Sequence, residues 1–322
     1  MKILVTGAHG FIGSYVCRDL LERGIAVRGL KRAGSDLTRI ADVATRIEWV
    51  TCDLLTAAPA ELDAAAKGVD GCLHLAWDVT PGRYLTSPGN AHYREASLRL
   101  FEQLAERGCR RITGAGTCFE YAPANGPLAE SAALDPITPY AREKLATYTE
   151  AERRLRGSTT ALAWARLFYL YGPGESPRRL VPDVIAGLLK HERVATTAGT
   201  QVRDFLHVAD VARALTAVAL SPLQGAVNLG SGDPIRVLDI VETIAAITGR
   251  RDLIDVGARP ENLVDPPYVS ADNRRLVEET GWRPHYTLAA GLADTVEWWR
   301  RTLTPLPAGE RIVPPDLGPL DR

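Results

Sequence analysis

Thr6-Gly7-Ala8-His9-Gly10-Phe11-Ile12-Gly13 follows the apolar run Lys2 to Val5 and opens a helical pattern from Ile12 to Arg23. A glycine-rich turn between a strand and a helix has a mechanical reading. Gly7 lets the chain turn sharply, Gly10 lets backbone approach a pyrophosphate, and Gly13 lets helix and strand pack closely. The helix N-terminus, with Phe11 and Ile12 beside it in the cofactor site, offers amide donors and a favourable dipole to phosphates. The first glycine gap is one residue longer than in the G-x-G-x-x-G form. A strand before the turn and an amphipathic helix after it make the stretch a dinucleotide site.

The same alternation continues outward. Ala26 to Leu30, Ile47 to Thr51, Gly71 to Ala76, Arg111 to Gly114 and Thr160 to Leu167 read as strands. Pro59 to Lys67, Ala91 to Arg107 and Tyr140 to Leu155 read as helices between them. Such alternation predicts an α/β protein with a parallel sheet and right-handed crossovers. Thr138-Pro139 is a helix start, a capping hydroxyl followed by proline at the first helical position. After Leu167 the pattern changes: Gly172-Pro173-Gly174 breaks the chain and Arg178 to Lys190 reads as a helix. The helix Val208 to Leu220 and the strand Ala226 to Leu229 return to the sheet, and two helices and a proline-rich tail (Thr304 to Leu320) are expected beyond Ser231. This divides the chain into a dinucleotide-binding domain, 1–167 plus about 201–230, and a smaller domain, about 168–200 plus 231–322.

An NAD site usually carries an acid at the end of the second strand, for the ribose 2′-hydroxyl. Here that strand ends in Lys31-Arg32, cations that suit a 2′-phosphate. NADP(H) is therefore favoured over NAD(H). Asp53, after the third strand, is placed to accept from an adenine amino group. Tyr140 and Lys144, four residues apart on a helix, share one face. An ammonium beside a phenol pulls its pKa down from about 10. A phenol so tuned exchanges a proton with a hydroxyl or carbonyl near neutral pH. Alone the pair is an ordinary helix-face contact; downstream of a dinucleotide turn, with Thr117 between, it is equipment for hydride transfer.

The 322-residue chain is 46% hydrophobic and 24% charged, with a formal net charge of −1, so it offers no bulk attraction to nucleic acid or to an anionic membrane. No apolar run approaches a membrane span. The N-terminal residues read directly as a strand, and no leader is expected. Cys17, Cys52, Cys72, Cys109 and Cys118 have no disulfide or metal spacing, so reduced thiols and a cytoplasmic location are expected.

The chain resembles the extended short-chain dehydrogenase/reductases, in the NAD-dependent epimerase/dehydratase family that acts on nucleotide sugars. The resemblance is carried by T-G-A-H-G-F-I-G, L-H-L-A (Leu73 to Ala76), T-C-F-E-Y (Thr117 to Tyr121), Y-A-R-E-K (Tyr140 to Lys144) and R-L-F-Y-L-Y-G-P (Arg166 to Pro173). V-R-D-F-L-H-V-A-D-V-A (Val202 to Ala212), N-L-G-S-G (Asn228 to Gly232) and G-W-R-P (Gly281 to Pro284) complete it. It implies a doubly wound parallel (Rossmann) sheet, a smaller α/β substrate domain and a homodimer built through paired helices. By resemblance Tyr140 is the acid/base, Lys144 binds the nicotinamide ribose and depresses the phenol pKa, and Thr117 hydrogen-bonds the reacting oxygen. Leu54, Leu75 and Ala76 join the cofactor site.

Departures from the family narrow the chemistry. Its 4,6-dehydratases resemble T-D-E-x-Y where this chain has Thr117-Cys118-Phe119, so the carboxylate pair that eliminates water is missing. Glu120 is displaced by one residue and points elsewhere along a strand. Redox at a single carbon survives. On the substrate side Arg203 matches a pyrophosphate arginine and Arg259 lies where a second occurs, a fork that lysine cannot copy. Tyr169 and Asn262 replace an asparagine and an aspartate of many relatives. Trp77 and Asp78 edge the site and shape sugar selectivity. His74 reads as a packed strand residue and His207 as support for the next helix. The reading that results is NADPH-dependent reduction of a 4-keto nucleotide-diphosphate (deoxy)sugar. A nucleotide-sugar 4-epimerase with tightly bound NAD and a non-catalytic dinucleotide-sensing protein remain as alternatives.

Overall fold

In the computed structural model, which describes residues 1–261 and 265–303, strands β1 (Lys2–Thr6), β2 (Ala26–Lys31), β3 (Glu48–Thr51), β4 (Gly71–His74), β5 (Arg111–Thr117) and β6 (Ala161–Leu167) lie parallel in one sheet. Short strands β7 (Tyr169–Tyr171), β8 (Val194–Ala195), β9 (Val202–Arg203) and β10 (Phe205–His207) follow. Then β11 (Gly225–Leu229) rejoins the sheet beside β6. The spatial order is β11-β6-β5-β4-β1-β2-β3. The order reverses between β1 and β4, and ligands of such sheets bind in the crevice at that switch point.

Parallel strands need both faces covered, which is why the central strands are mostly buried. On one face α1 (Phe11–Glu22) packs with α6 (Val208–Leu220), burying Val16, Leu20, Val211 and Leu215. On the other lie α2 (Pro59–Ala66), α3 (Asn90–Glu106) and α4 (Pro139–Arg154), with Leu98, Phe101 and Leu104 in the core. Thr138 caps α4 as expected, its hydroxyl accepting from the Ala141 amide at 3.2 Å, with Pro139 at the first helical position. A separate core gathers α5 (Leu180–Leu189), α7 (Val237–Thr248) and α9 (Leu288–Leu303) around Ile185, Ile244 and Val296. Strands β12 (Ile235–Arg236), β13 (Ile254–Asp255) and β14 (Tyr268–Val269) and helix α8 (Arg274–Thr280) complete the described residues.

Three boundaries differ from expectation by more than a residue, and one helix count differs as well. β4 stops at His74 rather than Ala76: the Leu75 amide is shared between the Thr6 carbonyl and hydroxyl, and the Ala76 amide goes to the hydroxyl. β5 runs on to Thr117, paired with β6 as far as Leu167. α5 begins at Leu180 rather than Arg178, whose φ of 66° lies in the left-handed region closed to a helix. Beyond Ser231 there are three helices instead of two; α8, with Leu276 as its one buried residue, has too short an apolar pattern to read. The proline-rich tail lies outside the described residues.

Candidate active site

At the switch point the glycine turn is locked to the neighbouring strand. Gly7 has φ of 68°, and a Cβ on Gly13 would stand 2.1 Å from the Gly7 carbonyl oxygen. Only glycine lets α1 start this close to β1. Gly10 occupies the N-cap position with no capping side chain, so the helix end is left to a ligand. The Thr6 hydroxyl accepts from the Leu75 and Ala76 amides at 3.0 and 3.1 Å and reaches His74 Nδ1 at 3.0 Å. His74 Nε2 lies 2.8 Å from Ser97 Oγ, which donates to the Tyr93 carbonyl. With both lone pairs of Thr6 engaged, its proton goes to Nδ1 and the histidine carries hydrogen on Nε2. Burial drives His74 down to about 3, helped by Lys144, so it is a neutral packing residue, as the sequence suggested.

Gly7, Gly10, Phe11, Ile12, Gly13, Lys31, Arg32, Asp53, Leu54, Leu75, Ala76, Trp77, Thr117, Tyr140, Lys144, Tyr169 and Arg203 all line one cleft of about 750 Å³. Asp53 spends one oxygen on the Leu55 amide. His9, from the turn itself, also lines the cleft. Its ring pKa is lowered by burial first and then by Arg32 and Arg39, which places it in a cationic corner at the end of β2.

Tyr140 and Lys144 sit one helical turn apart on α4, both buried. Thr117 ends β5, where Glu120 accepts from its amide at 2.9 Å. The Thr117 hydroxyl accepts from the Phe119 amide at 3.3 Å. Burial pushes the Tyr140 phenol above its ordinary value, Tyr84, Glu120 and Cys118 add to this, and the Thr117 hydroxyl opposes it. Lys144 Nζ donates to the Ala115 carbonyl at 2.8 Å. Burial lowers the lysine to about 7, with Glu120 opposing. This corrects the expected electrostatics: in the free cleft Lys144 does not depress the phenol, because burial moves both groups toward their neutral forms.

Cys118 and Phe119 stand beside Thr117 as expected, and burial raises the thiol to about 12. Glu120 is fully buried and turned away from the cleft lining. It binds Trp164 Nε1 at 3.0 Å and Arg166 Nε at 2.7 Å. Its role is to anchor the turn that presents Thr117.

The substrate end departs most from expectation. Arg203 is buried and paired with Asp265 at 2.7 Å, with its guanidinium carbon 5.4 Å from the Tyr169 ring centre. Arg259 is exposed and absent from the cleft lining, and its amide donates to the Thr196 carbonyl at 2.9 Å. Two other arginines, Arg178 and Arg179, line the cleft instead, carried in by the turn before α5. Their adjacency just after the Gly-Pro-Gly break was the available sign. Asp78 is likewise not in the lining. Its carboxylate accepts from the Thr80 amide and hydroxyl at 3.0 and 2.6 Å and from Arg83 at 2.9 Å. Asn262 lies outside the described residues. Two acids join the cleft without a prior sign, Asp265 and Glu175; burial raises the Glu175 carboxyl to about 8, against Arg179. His207 caps α6 through Nδ1, 3.4 Å from the Ala209 amide. All five cysteines are free and buried. Among the described residues no cluster of metal-ligating side chains occurs, and no helix is long and apolar enough to cross a membrane.

A nicotinamide dinucleotide fits the uncapped glycine turn and the Tyr140–Lys144 face, and comparison with known proteins agrees. The chain belongs to the NAD dependent epimerase/dehydratase family, whose model matches residues 3–230. It is 28% identical to the uncharacterized UDP-glucose epimerase YtcB of Bacillus subtilis (strain 168), over 92% of this chain and 98% of that protein. Among solved structures it is similar to MoeE5 in complex with UDP-glucose and NAD, with 30% identity and TM-score 0.80 over 94% of this chain and all of that one. The UDP-glucose 4-epimerase of Thermotoga maritima with UDP-glucose gives 25% identity and TM-score 0.85 over the same shares.

Proposed function

We propose that the protein reduces the 4-keto group of a nucleotide-diphosphate (deoxy)sugar with NADPH. The observation that carries the reading is the meeting of Thr117, Tyr140 and Lys144 in a cleft where Cys118 and Phe119 stand in place of an eliminating carboxylate pair. Burial keeps the Tyr140 phenol protonated in the free cleft, so the proton that reduction consumes is already on the phenolic oxygen. When bound, the cofactor would supply hydride to the carbonyl carbon. Tyr140 gives its phenolic proton to the oxygen as negative charge develops there, and Thr117 hydrogen-bonds the same oxygen. With the cofactor in place, a charged Lys144 one turn away would stabilise the phenolate left on Tyr140. Arg203, Arg178 and Arg179 are the cations available to a pyrophosphate. Remote binding energy there would orient carbon 4.

The preference for NADP(H) rests on Lys31 and Arg32, with His9 and Arg39 in the same corner. A specific observation favours a second reading, a 4-epimerase with retained NAD: MoeE5 was solved with NAD, and the Thermotoga protein is an epimerase. One experiment separates them. Supplied with a 4-keto nucleotide sugar, the protein should oxidise NADPH stoichiometrically, and Lys31→Asp should weaken NADPH binding by about tenfold or more while sparing NADH. Interconversion of two 4-hydroxy sugars with no cofactor consumed establishes the epimerase instead. Equal loss of both cofactors removes the 2′-phosphate assignment.

A further inference from the structure

Of the two cleft rings that face Lys144 Nζ, Trp77 is the nearer, with Tyr140 at 5.9 Å. The Trp77 ring centre lies 4.0 Å from Lys144 Nζ. The indole is held from two sides: Nε1 donates to Asn90 Oδ1 at 2.7 Å, and the Tyr93 ring stacks on it at 5.5 Å and 27°. Asn90 is itself buried, and its Nδ2 donates to the carbonyls of Tyr84 and Ser87 at 2.7 and 2.9 Å. Tyr84 packs edge-on against Tyr140 at 4.9 Å, and Trp77 meets the same ring edge-on at 6.3 Å. One buried amide therefore ties together the two aromatics that flank the Tyr140–Lys144 pair.

The chemistry of an ammonium explains why a ring belongs there. Lys144 has three N–H donors, and the Ala115 carbonyl takes one of them. A buried ammonium with a single hydrogen bond drifts toward the neutral amine. An indole face, the strongest aromatic partner for a cation, supplies negative potential without demanding a proton. It also leaves Lys144's remaining donors free for a ribose.

We propose that Trp77 is a positioning residue that seats the Lys144 ammonium by a cation–π contact and keeps it charged beside Tyr140. The inference rests on the redox reading of Tyr140 and Lys144 for its catalytic consequence, though the seat itself does not. Asn90, by fixing the indole, and Tyr84, by fixing the phenol ring, set the distance between the two groups.

The test titrates Lys144 directly. The chain's lysines are Lys2, Lys31, Lys67, Lys144 and Lys190, few enough for side-chain lysine NMR of the full chain, with Lys144→Arg assigning the signal. Wild type, Trp77→Phe and Trp77→Leu are compared with and without bound cofactor. Trp77→Leu is expected to lower the Lys144 midpoint by about one pH unit, a tenfold change in the ammonium-to-amine ratio, and Trp77→Phe by less. In parallel, kcat of Trp77→Leu at pH 8 should fall about tenfold and recover at pH 6, with the substrate KM little changed. If Trp77→Leu does not fold, the graded Trp77→Phe comparison and wild type grown with fluorinated tryptophan, which keeps the ring's shape and drains its face, carry the same test. An unmoved midpoint in these proteins, or one that moves only without cofactor, overturns the proposal. So does a rise in KM with an unchanged pH profile, which would make Trp77 a substrate contact. If the midpoint moves but wild type transfers no hydride, the seat stands and the redox reading falls. If wild type transfers hydride and the midpoint is the same in all variants, the seat alone falls.

Discussion

The two ends of the cleft are built by different means. At the cofactor end, a turn of consecutive residues is shaped by its own backbone and held by one threonine. Thr6 bonds the Leu75 and Ala76 amides, and the Gly7 carbonyl sits so close to Gly13 that any side chain there would collide with it. At the substrate end, Arg203 from β9, Asp265, Tyr169 from β7 and the Arg178–Arg179 turn converge from separate parts of the chain. Between them stand Thr117 and the Tyr140–Lys144 pair. A backbone-built site tolerates no substitution at its glycines but is indifferent to many side chains. A site of converging side chains has the reverse sensitivity.

The largest effect should come from the middle, where the two ends meet. Tyr140→Phe keeps the ring and removes the titrating oxygen, so turnover should fall about 10²–10⁴-fold while cofactor affinity holds. Cofactor titration beside steady-state rates checks this, and near wild-type turnover ends the acid/base assignment. Gly13→Ala should break the cofactor end. With a Cβ 2.1 Å from the Gly7 oxygen, α1 must shift, at a cost of about 1–3 kcal/mol or more. Melting temperature should drop and the stabilisation by added dinucleotide should vanish. A variant that still gains stability from cofactor shows the turn to be more plastic than its geometry implies.

Arg203→Ala sharpens the contrast from the other side. It should raise the nucleotide-sugar KM about tenfold or more and leave cofactor affinity intact. Asp265, left without its partner, lies at the cleft edge, half-exposed, so stability should change little. A sugar without the nucleotide, turned over as well as the full substrate, removes the pyrophosphate assignment.

The smallest effects are in the pH dependence of stability. Glu175 is raised from 4.5 to about 8 by burial, so between those values the native state holds a proton that the unfolded chain has released. Stability from this group falls as pH rises through that window. Lys144 is lowered from 10.5 to about 7, and there the unfolded chain holds the extra proton, so stability rises with pH across that higher window. Glu175→Gln should flatten the first slope and Lys144→Met the second. Denaturant unfolding across pH 5–10 reads both, and unchanged slopes would show the burial of these groups to be relieved by water.

Most of the sheet was legible because its cues are local. Apolar runs, the Thr138-Pro139 cap and the glycine turn each span a few residues, and their periodicity survives any tertiary context. The misjudged boundaries arose where a distant partner competes for the same backbone. The Thr6 hydroxyl shares the Leu75 amide with its own carbonyl and takes the Ala76 amide, ending β4, and pairing with β6 carries β5 on to Thr117. The pairing of Tyr140 with Lys144 followed from helical spacing, but the state of their protons did not, since burial is a property of the whole fold.

By itself, the sequence determined the class of sheet, the dinucleotide turn, the family and the set Thr117, Tyr140 and Lys144, because each is written in contiguous residues with a fixed geometric meaning. Only the tertiary structure decided which charges face the cleft. It paired Arg203 with Asp265, left Arg259 outside and brought in Arg178 and Arg179. It also closed Asp78 into its own turn and laid Trp77 over Lys144. The direction and partner of a side chain depend on strands and loops far away in sequence, and no local pattern records them.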